Sequence, residues 1–340
     1  MKKLSYLAGF LGFLVLIGLI VHQGLPELLQ ALARAGWPLL LLLPAHLVPL
    51  ALDAQGWKVL LAPIDSLRRA TLPFLLWIAC VREAVGRLLP AVGVGGEVVG
   101  IRLALLRLDD TAAVSATVIV EVLITLITQY LFCGLGIVML AASAPGLSQV
   151  WTLTAALLLS LPIPIAVYFL LHHGSVFERL ENVAKKLFGA DNRFAMQLDG
   201  ARLDAQVHRL FAQPLRLLHA LAWQFSGYLI GSFETWFALL LLGHPVSPGT
   251  ALAIEALTQA VRHASFIVPG GLGVQEASVM LFAYWAGIDN EVALSLALVK
   301  RMREILFGVP ALLSWQWIEA RRLNRSRHPI EAAAAVEDPT

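Results

Sequence analysis

Charged residues are scarce in this sequence: Asp, Glu, Lys and Arg make up 14% of its 340 residues, whereas 58% are hydrophobic. A soluble domain carries roughly 25% charged residues, so the composition excludes an ordinary water-soluble globular protein. The mean hydropathy of +0.75 points the same way. Together these values are typical of a polytopic integral membrane protein.

Cysteine is scarce as well, and several familiar catalytic motifs are missing. The two cysteines, Cys80 and Cys133, both lie in apolar runs and have the spacing of neither a metal site nor a disulfide framework. The sequence also lacks H-E-x-x-H, G-x-S-x-G and nucleotide-binding patterns. We therefore expect no metal, no cofactor and no nucleic-acid partner, and we assign no catalytic residue.

Long apolar segments are abundant, and six of them are long enough to cross a hydrocarbon core of about 30 Å as helices. They are 4–21, 38–61, 112–142, 151–171, 217–242 and 291–317. The first resembles a signal peptide. Because the cleavage-like triplet at 31–33 lies about a dozen residues beyond the apolar run, we interpret this segment as an uncleaved first helix.

Two further regions are interrupted by proline and glycine. Residues 72–108 contain P-A-V-G-V-G-G-E, and residues 250–287 contain P-G-G-L-G-V-Q-E. In each region the second arm would be a helix of roughly 18–20 Å, which is too short to span a membrane. We predict two re-entrant helical hairpins, which are tolerated only where they are buried in protein or line a polar cavity.

The basic residues are distributed asymmetrically between the segments that join these helices. Arg34 is the only Lys or Arg in the segments predicted to lie outside, which are 22–37, 143–150, 243–249 and 287–290. The positive-inside rule therefore places both termini in the cytoplasm.

Three spanning helices separate the hairpins, so the hairpins are expected to enter from opposite sides of the membrane. Two similar hairpins that enter from opposite sides of the membrane are typical of an inverted repeat. An offset of 179 residues places Pro90 on Pro269 and Glu97 on Glu276. We predict an all-α polytopic integral membrane protein with about six spanning helices and two re-entrant hairpins in an inverted repeat, N-in and C-in.

The chain is expected to form a single transmembrane domain over residues 1–320, followed by a basic, disordered cytoplasmic tail, 321–340. The long polar stretch inside this domain is 172–216, where apolar residues such as Phe177 and Leu180 recur at helical spacing. Its helices are either amphipathic and lie on the cytoplasmic membrane surface, or they pack as a connector without lipid contact.

Ionisable residues at membrane depth cost about 2.5–3.5 kcal/mol each on insertion scales and are usually present for a reason. Those predicted to bind substrate are Arg82, Arg87, Glu97, Arg262, Glu276, Lys300, Arg301 and Glu304. The others at this depth are Glu83, Glu121, Glu234, Glu255, His263 and Arg303. The functional interpretation is a site for a phosphate or another anionic head group, because the planar guanidinium of arginine grips phosphate.

Structural interpretations of the same residues stay open. Lys300 and Arg301 lie four and three residues before Glu304, so either could pair with it on one helix face. The charges would then form an internal network that holds the helices together. Glu97 and Glu276 each begin a half-helix, where a carboxylate is favoured by the helix dipole.

Two sets of motifs resemble a known family. One set resembles the membrane domain of lysylphosphatidylglycerol synthases and their stand-alone relatives: it comprises P-G-G-L-G-V-Q-E (269–276), G-I-D-N (287–290) and A-L-V-K-R-M-R-E (297–304). The other resembles the branch associated with hopanoid biosynthesis: it comprises H-L-V-P-L-A-L-D-A-Q-G-W (46–57), R-L-L-P-A-V-G-V-G-G-E (87–97) and S-W-Q-W (314–317). The similarity covers nearly the whole membrane region.

The resemblance implies a lipid-handling domain, which in the synthases is thought to flip the lipid that a separate soluble domain makes. The longest polar stretch here, 172–216, is too short for a transferase, so we do not expect aminoacyl transfer. The resemblance also implies that the hairpin backbone lines the lipid route, together with Glu97 and Glu276, and that Lys300, Arg301 and Glu304 stand beside it. The backbone residues are Pro90, Gly95, Gly96, Pro269, Gly270, Gly271 and Gly273.

These observations predict a flippase or transporter in the bacterial cytoplasmic (inner) membrane that moves an amphiphilic membrane lipid, such as a hopanoid or a hopanoid-linked glycolipid. Movement would be passive or ion-coupled, with Glu97 or Glu276 as the proton carrier. Two alternatives stay open. One is an intramembrane enzyme that modifies a polyisoprenoid lipid with carboxylates as general acid and base. The other is a non-catalytic partner of lipid-synthesis enzymes.

Overall fold

In a computed structural model of the protein, the described residues are 36–89, 95–143, 146, 148–188, 199–265 and 273–334, without the side chains of 184–188 and 323–334. Within these ranges the chain is helical and contains no strand, which confirms the predicted all-α class. Several predicted features lie outside the described residues: the first spanning helix 4–21, Pro90, Pro269, Gly270, Gly271 and the end of the tail.

A short 3-10 helix, Trp37–Leu41, leads directly into the first described α-helix. The α-helices are α1 (Leu42–Leu61), α2 (Leu72–Leu88), α3 (Gly95–Ala104), α4 (Thr111–Ser143), α5 (Gln149–Ser160), α6 (Pro162–His173), α7 (Val176–Phe188), α8 (Gly200–Phe211), α9 (Pro214–Leu241), α10 (Pro248–Ala264), α11 (Val274–Trp285) and α12 (Asn290–Ala334). Helix α12 therefore continues into the segment 321–340, which the sequence assigns to a disordered tail.

Three helical segments in the described part of the chain are long and apolar enough to cross a membrane: Trp37–Leu61, Thr111–Ser143 and Gln149–His173. Each corresponds to a predicted apolar segment. The third divides into α5 and α6 at Pro162, because proline lacks the backbone N–H that a continuous helix needs. Helices α9 and α12 are long enough to span but carry more polar side chains, so the count of six spans stays a prediction.

Two helices that pack side by side flank each proline–glycine break. Helices α2 and α3 flank the first break, and α10 and α11 flank the second. The helix that follows each pair packs on the first arm of the other pair, so that α12 contacts α2 and α4 contacts α10. Helices α1 and α9 also pack on each other. The chain therefore uses one set of helical contacts twice.

The two arms of the first pair approach each other closely at Gly96 and Gly100 of α3. A Cβ atom at Gly100 would lie 2.6 Å from Cδ of Arg82, and one at Gly96 would lie 2.7 Å from the Arg82 carbonyl oxygen. Carbon atoms in contact are normally about 3.5–4.0 Å apart. Glycine therefore leaves the room that the Arg82 side chain needs to run along α3.

Gly136 of α4 lies against Ala256 of α10, where an added Cβ atom would be 2.6 Å from the alanine Cβ. We expect Gly136→Ala to lower the free energy of unfolding by about 1–3 kcal/mol, the usual cost of overpacking a close contact. Gly134→Ala is the matched control, because its Cβ atom would meet Leu157 at an ordinary 3.7 Å. Unfolding in mixed detergent micelles measures both variants, and equal stabilities would contradict the close helix approach.

The polar stretch 172–216 contains helices α7 and α8, which pack on each other. The Asp204 carboxylate of α8 accepts hydrogen bonds from the backbone N–H groups of Phe177 at 3.3 Å and Glu178 at 3.0 Å, which begin α7. Helix α8 also packs on α4, whereas Leu180 of α7 is exposed. Helix α8 is thus a packed connector, and α7 keeps part of its apolar face uncovered.

Candidate functional site

A polar cavity of about 280 Å³ lies among helices α1, α2, α3, α4, α9, α10 and α12. Its wall includes uncharged positions, such as Pro49 of α1 and Gly227 of α9, but most of its polar lining is ionisable. The charged lining residues are Asp53, Arg82, Glu83, Arg87, Glu97, Glu121, Glu234, Glu255, Arg262 and Arg303. Charges removed from water need partners, so the contacts of each decide which of them is available to a ligand.

Arg82 of α2 connects three elements of the first half. Its Nη1 atom donates to both carboxylate oxygens of Glu121 in α4, each at 3.0 Å, and its Nη2 atom pairs with Glu97 in the first turn of α3. Its guanidinium carbon also lies 5.1 Å from the ring centroid of Trp57 in α1. Two carboxylates and an aromatic face compensate this cation, so Arg82 would have to release a partner to bind a ligand.

Glu304 of α12 connects the two hairpins. Its Oε1 atom accepts hydrogen bonds from Arg87 Nη1 of α2 at 2.6 Å and from Gln275 Nε2 of α11 at 3.0 Å. Its Oε2 atom accepts from Arg301 Nη1 at 3.0 Å, and Arg301 Nη2 lies 2.9 Å from Glu276 in the first turn of α11. The Glu304 side chain is 1% exposed, so protein donors take the place of water around this carboxylate.

Lys300 lies one turn before Glu304 but pairs with another helix. Its Nζ atom bonds the carboxylate of Glu255 in α10, which also accepts from Thr235 Oγ1 at 2.5 Å and from Gln259 Nε2 at 3.1 Å. Helical spacing allowed both Lys300 and Arg301 to pair with Glu304. Among the described contacts, Arg301 alone does so.

A fourth charged group surrounds His46 of α1. Glu83 Oε2 of α2 lies 2.7 Å from its Nε2 atom, and Glu234 Oε2 of α9 lies 3.0 Å from its Nδ1 atom. Arg303 of α12 joins the group, since its Nε atom lies 2.7 Å from Glu234 Oε1. This group connects helices of both halves across the wall of the cavity.

Arg262 differs from the other cations of the cavity. It lies in the last turn of α10, where a positive charge is favoured by the helix dipole. Among the described residues it makes no hydrogen bond or ion pair with another side chain. The neighbouring stretch 266–272 contains no acidic residue in its sequence. Arg262 is therefore the lining cation that is best placed to receive an anionic group.

The eight residues predicted to bind substrate separate into three groups. The polar cavity is lined by Arg82, Arg87, Glu97 and Arg262. A narrow adjoining space is lined by Lys300 and Glu304, and Arg87 and Arg262 line this space as well. Neither space is lined by Glu276 or Arg301, whose mutual ion pair lies behind the cavity wall.

The predicted glycines that lie in the described ranges have clear local roles. Gly95 begins α3, and Gly96 makes the close contact with Arg82. Gly273 precedes α11 with φ of +73°, a conformation that other residues rarely adopt. Glu97 and Glu276 follow in the first turns of these helices, so each carboxylate both faces a helix N-terminus and joins an ion pair.

Sequence reasoning missed part of the cavity lining, including His46, Gln224 and Tyr228. Gln224 of α9 donates from Nε2 to Asp53 Oδ1 at 3.0 Å and to Thr125 Oγ1 at 2.6 Å. The available signal was weak, since each of these residues is a single polar position in an apolar run. The residues that they contact lie on helices that are distant in the sequence.

Apolar helices that enclose buried ion pairs and a polar cavity define an α-helical membrane protein. The family model described as the lysylphosphatidylglycerol synthase TM region matches residues 6–311, and the chain belongs to this family. This match confirms the resemblance to the membrane domain of the lysylphosphatidylglycerol synthases and identifies a lipid-related membrane protein. No curated protein and no solved structure matches the chain.

Proposed function

We propose that the protein moves an amphiphilic lipid between the leaflets of the bacterial cytoplasmic membrane, with the polar head group of the lipid in the charged cavity. The observation that carries this proposal is the position of Arg262, a cavity-lining cation without an ion pair among the described residues. The motifs that resemble the hopanoid-associated branch favour a hopanoid or a hopanoid-linked glycolipid as the lipid.

The balance of charges supports a head group that contacts few cations. The cavity lining contains four arginines and six carboxylates. Arg82, Arg87 and Arg303 each pair with carboxylates, and a buried pair is strongly destabilised when one partner is removed. A single anionic group at Arg262 is therefore favoured over a polyanion that would need several arginines at once.

The repeated helix contacts support an inverted repeat around this cavity. Both helices of the first pair, α2 and α3, and the first helix of the second pair, α10, line the cavity. In transporters built from inverted repeats, the substrate site lies between the repeats, and rocking of one repeat against the other exposes it to each side in turn. We extend this mode of movement to the present cavity.

Arg262→Gln tests the head-group site in vesicles that contain the purified protein and a fluorescent anionic lipid. Loss of a charge-assisted hydrogen bond of about 1.5–3 kcal/mol should reduce the translocation rate roughly ten- to hundredfold. The folded yield should stay close to that of the wild type, because Arg262 makes no ion pair among the described residues.

Arg202→Gln is the matched control, because Arg202 forms an exposed ion pair with Asp110 at 2.9 Å, outside the cavity. It should translocate lipid at the wild-type rate. A wild-type rate in Arg262→Gln would contradict the head-group site. A wild-type protein that moves none of the lipids offered, including an extracted hopanoid fraction, would contradict the proposed function.

A further inference from the structure

His46 has a carboxylate at each of its two ring nitrogens. Glu83 Oε2 lies 2.7 Å from Nε2, and Glu234 Oε2 lies 3.0 Å from Nδ1. The ring is buried, and the edge of Phe307 packs against it with the ring centroids 5.1 Å apart. All three polar residues line the cavity, so this group lies beside the proposed head-group site without forming part of the Arg262 contact.

The number of hydrogens on His46, Glu83 and Glu234 decides whether both nitrogen–oxygen contacts can be hydrogen bonds. A neutral imidazole has one N–H group, and an ionised carboxylate has no hydrogen to donate. Two nitrogen–oxygen contacts at hydrogen-bond distance therefore need one proton more than neutral His46 and two ionised glutamates possess. The extra proton lies either on the imidazole or on one of the carboxyl groups, and it belongs to the three groups together.

The surrounding charges agree with an extra proton. Besides Glu83 and Glu234, the groups that face His46 are Arg303 from α12, whose Nε atom lies 2.7 Å from Glu234, and Arg87 from α2, whose Nε atom lies 3.4 Å from Glu83. Arg87 is shared with Glu304. The charged lining residues of the other walls are Asp53, Arg82, Glu97, Glu121, Glu255 and Arg262. With the extra proton, Arg303 and the protonated triad sum to zero charge.

Arg303 also lies against the His46 ring, with its Nη1 atom 2.6 Å from Nε2 and 2.7 Å from Nδ1. Because the lone pairs of the two ring nitrogens point in different directions, one guanidinium nitrogen cannot donate a hydrogen bond along both, and Arg303 acts here as an adjacent positive charge. Loss of the extra proton leaves one of the two nitrogen–oxygen contacts without a hydrogen. Such a loss therefore weakens the link from α1 to α2 or to α9.

Helix α1 contains a proline close to His46, where a change in the contacts of His46 could alter the helix. Pro49 lies three residues after His46 inside α1, where its missing N–H weakens the helical hydrogen bonding and favours a bend. On the facing helix α9, an added Cβ atom at Gly227 would lie 3.1 Å from the Pro49 carbonyl oxygen. The weakened turn of α1 therefore lies next to His46, at a place where α1 packs closely on α9.

We propose that His46, Glu83 and Glu234 form a proton-binding site in the cavity wall, and that the proton bound there is coupled to lipid movement. The coupling rests on the proposed lipid transport, whereas the proton site does not. This assignment differs from the sequence-based choice of Glu97 or Glu276 as the proton carrier.

The proton site is tested without transport, by ¹⁵N and ¹³C NMR of histidine- and glutamate-labelled protein in lipid nanodiscs at pH 7. His46→Gln identifies the His46 signals among those of the nine histidines. Should that variant fail to fold, Glu234→Gln serves instead, since it perturbs the histidine that it contacts. Two N–H groups on His46, or one N–H with a protonated Glu83 or Glu234, supports the site. One N–H with both carboxylates ionised overturns it.

The coupling is tested in vesicles with opposite pH gradients and a labelled lipid. If one proton crosses with each lipid, a difference of one pH unit should change the leaflet ratio of the lipid by about tenfold. The His46→Gln variant should lose this response. Because the measurement compares the leaflet ratio under two opposite gradients, it does not depend on the basal translocation rate. His219→Gln, an exposed histidine of α9, should respond as the wild type does.

The outcomes separate the two proposals. A wild-type protein that moves lipid with the same leaflet ratio under both gradients overturns the coupling. A His46→Gln variant that still responds to the gradient also overturns it. A wild-type protein that moves no lipid overturns the proposed function, and the NMR experiment then decides the proton site on its own.

Discussion

Glu304→Gln is expected to lower the free energy of unfolding by about 3–5 kcal/mol, the range measured when one member of a buried ion pair is removed. The substitution keeps the size of the side chain but removes the charge that Arg87 and Arg301 share. Both cations would keep one other carboxylate, Glu83 and Glu276 respectively. The expected loss therefore comes from the buried positive charge of Arg87 and Arg301, which the remaining carboxylates compensate only in part.

The measurement is unfolding of the purified protein in mixed detergent micelles, compared with Arg202→Gln. That control removes an exposed ion pair with Asp110, which should cost about 0–1 kcal/mol. Similar midpoints for Glu304→Gln and Arg202→Gln would show that the buried network does not hold the two hairpins together.

Arg82→Met should destabilise the protein by a similar amount, about 3–5 kcal/mol, for a different reason. It leaves Glu97 and Glu121 without the cation that they share. The unpaired carboxylates are not equivalent, since 5% of the Glu121 side chain is exposed compared with 28% of Glu97. Glu121 should therefore account for most of the loss.

A second substitution separates these contributions. Adding Glu121→Gln to Arg82→Met should restore much of the lost stability, because replacing a whole buried pair by uncharged groups is often neutral. Adding Glu97→Gln instead should restore less, because the Glu97 side chain is the more exposed of the two and can be hydrated. Thermal unfolding of the single and double variants measures both effects. Equal rescue by the two second substitutions would show that the two carboxylates are equally buried.

The helical segments of this protein were largely predictable because hydrophobicity and helical periodicity are local properties. The predicted segment 38–61 corresponds to Trp37–Leu61, and 112–142 corresponds to Thr111–Ser143. The proline–glycine breaks likewise predicted helix pairs, because proline and glycine interrupt a helix wherever they occur. The residues of the breaks themselves lie outside the described ranges, so the re-entrant course of the chain stays a prediction.

The identity of the buried charges was also readable, but their partners were not. Short-range spacing offered Lys300 and Arg301 as partners of Glu304, and the structure shows the pair with Arg301, three residues apart. The spacing could not indicate that Lys300 pairs with Glu255, 45 residues away. In the sequence, each charged residue has several residues of opposite charge on other helices that could be its partner. Which of them forms the ion pair depends on which helix faces pack together.

By itself, the sequence determined the class of protein, its family and most of the ionisable residues of the membrane region, since these follow from composition, motifs and helix length. The tertiary structure alone decided which of those residues are paired and which face the cavity. It left Arg262 without an ion pair among the described residues and placed His46 near Arg303, 257 residues away. The physical reason is that an ion pair forms over a few ångströms of space, and helix packing brings together residues that no local pattern connects.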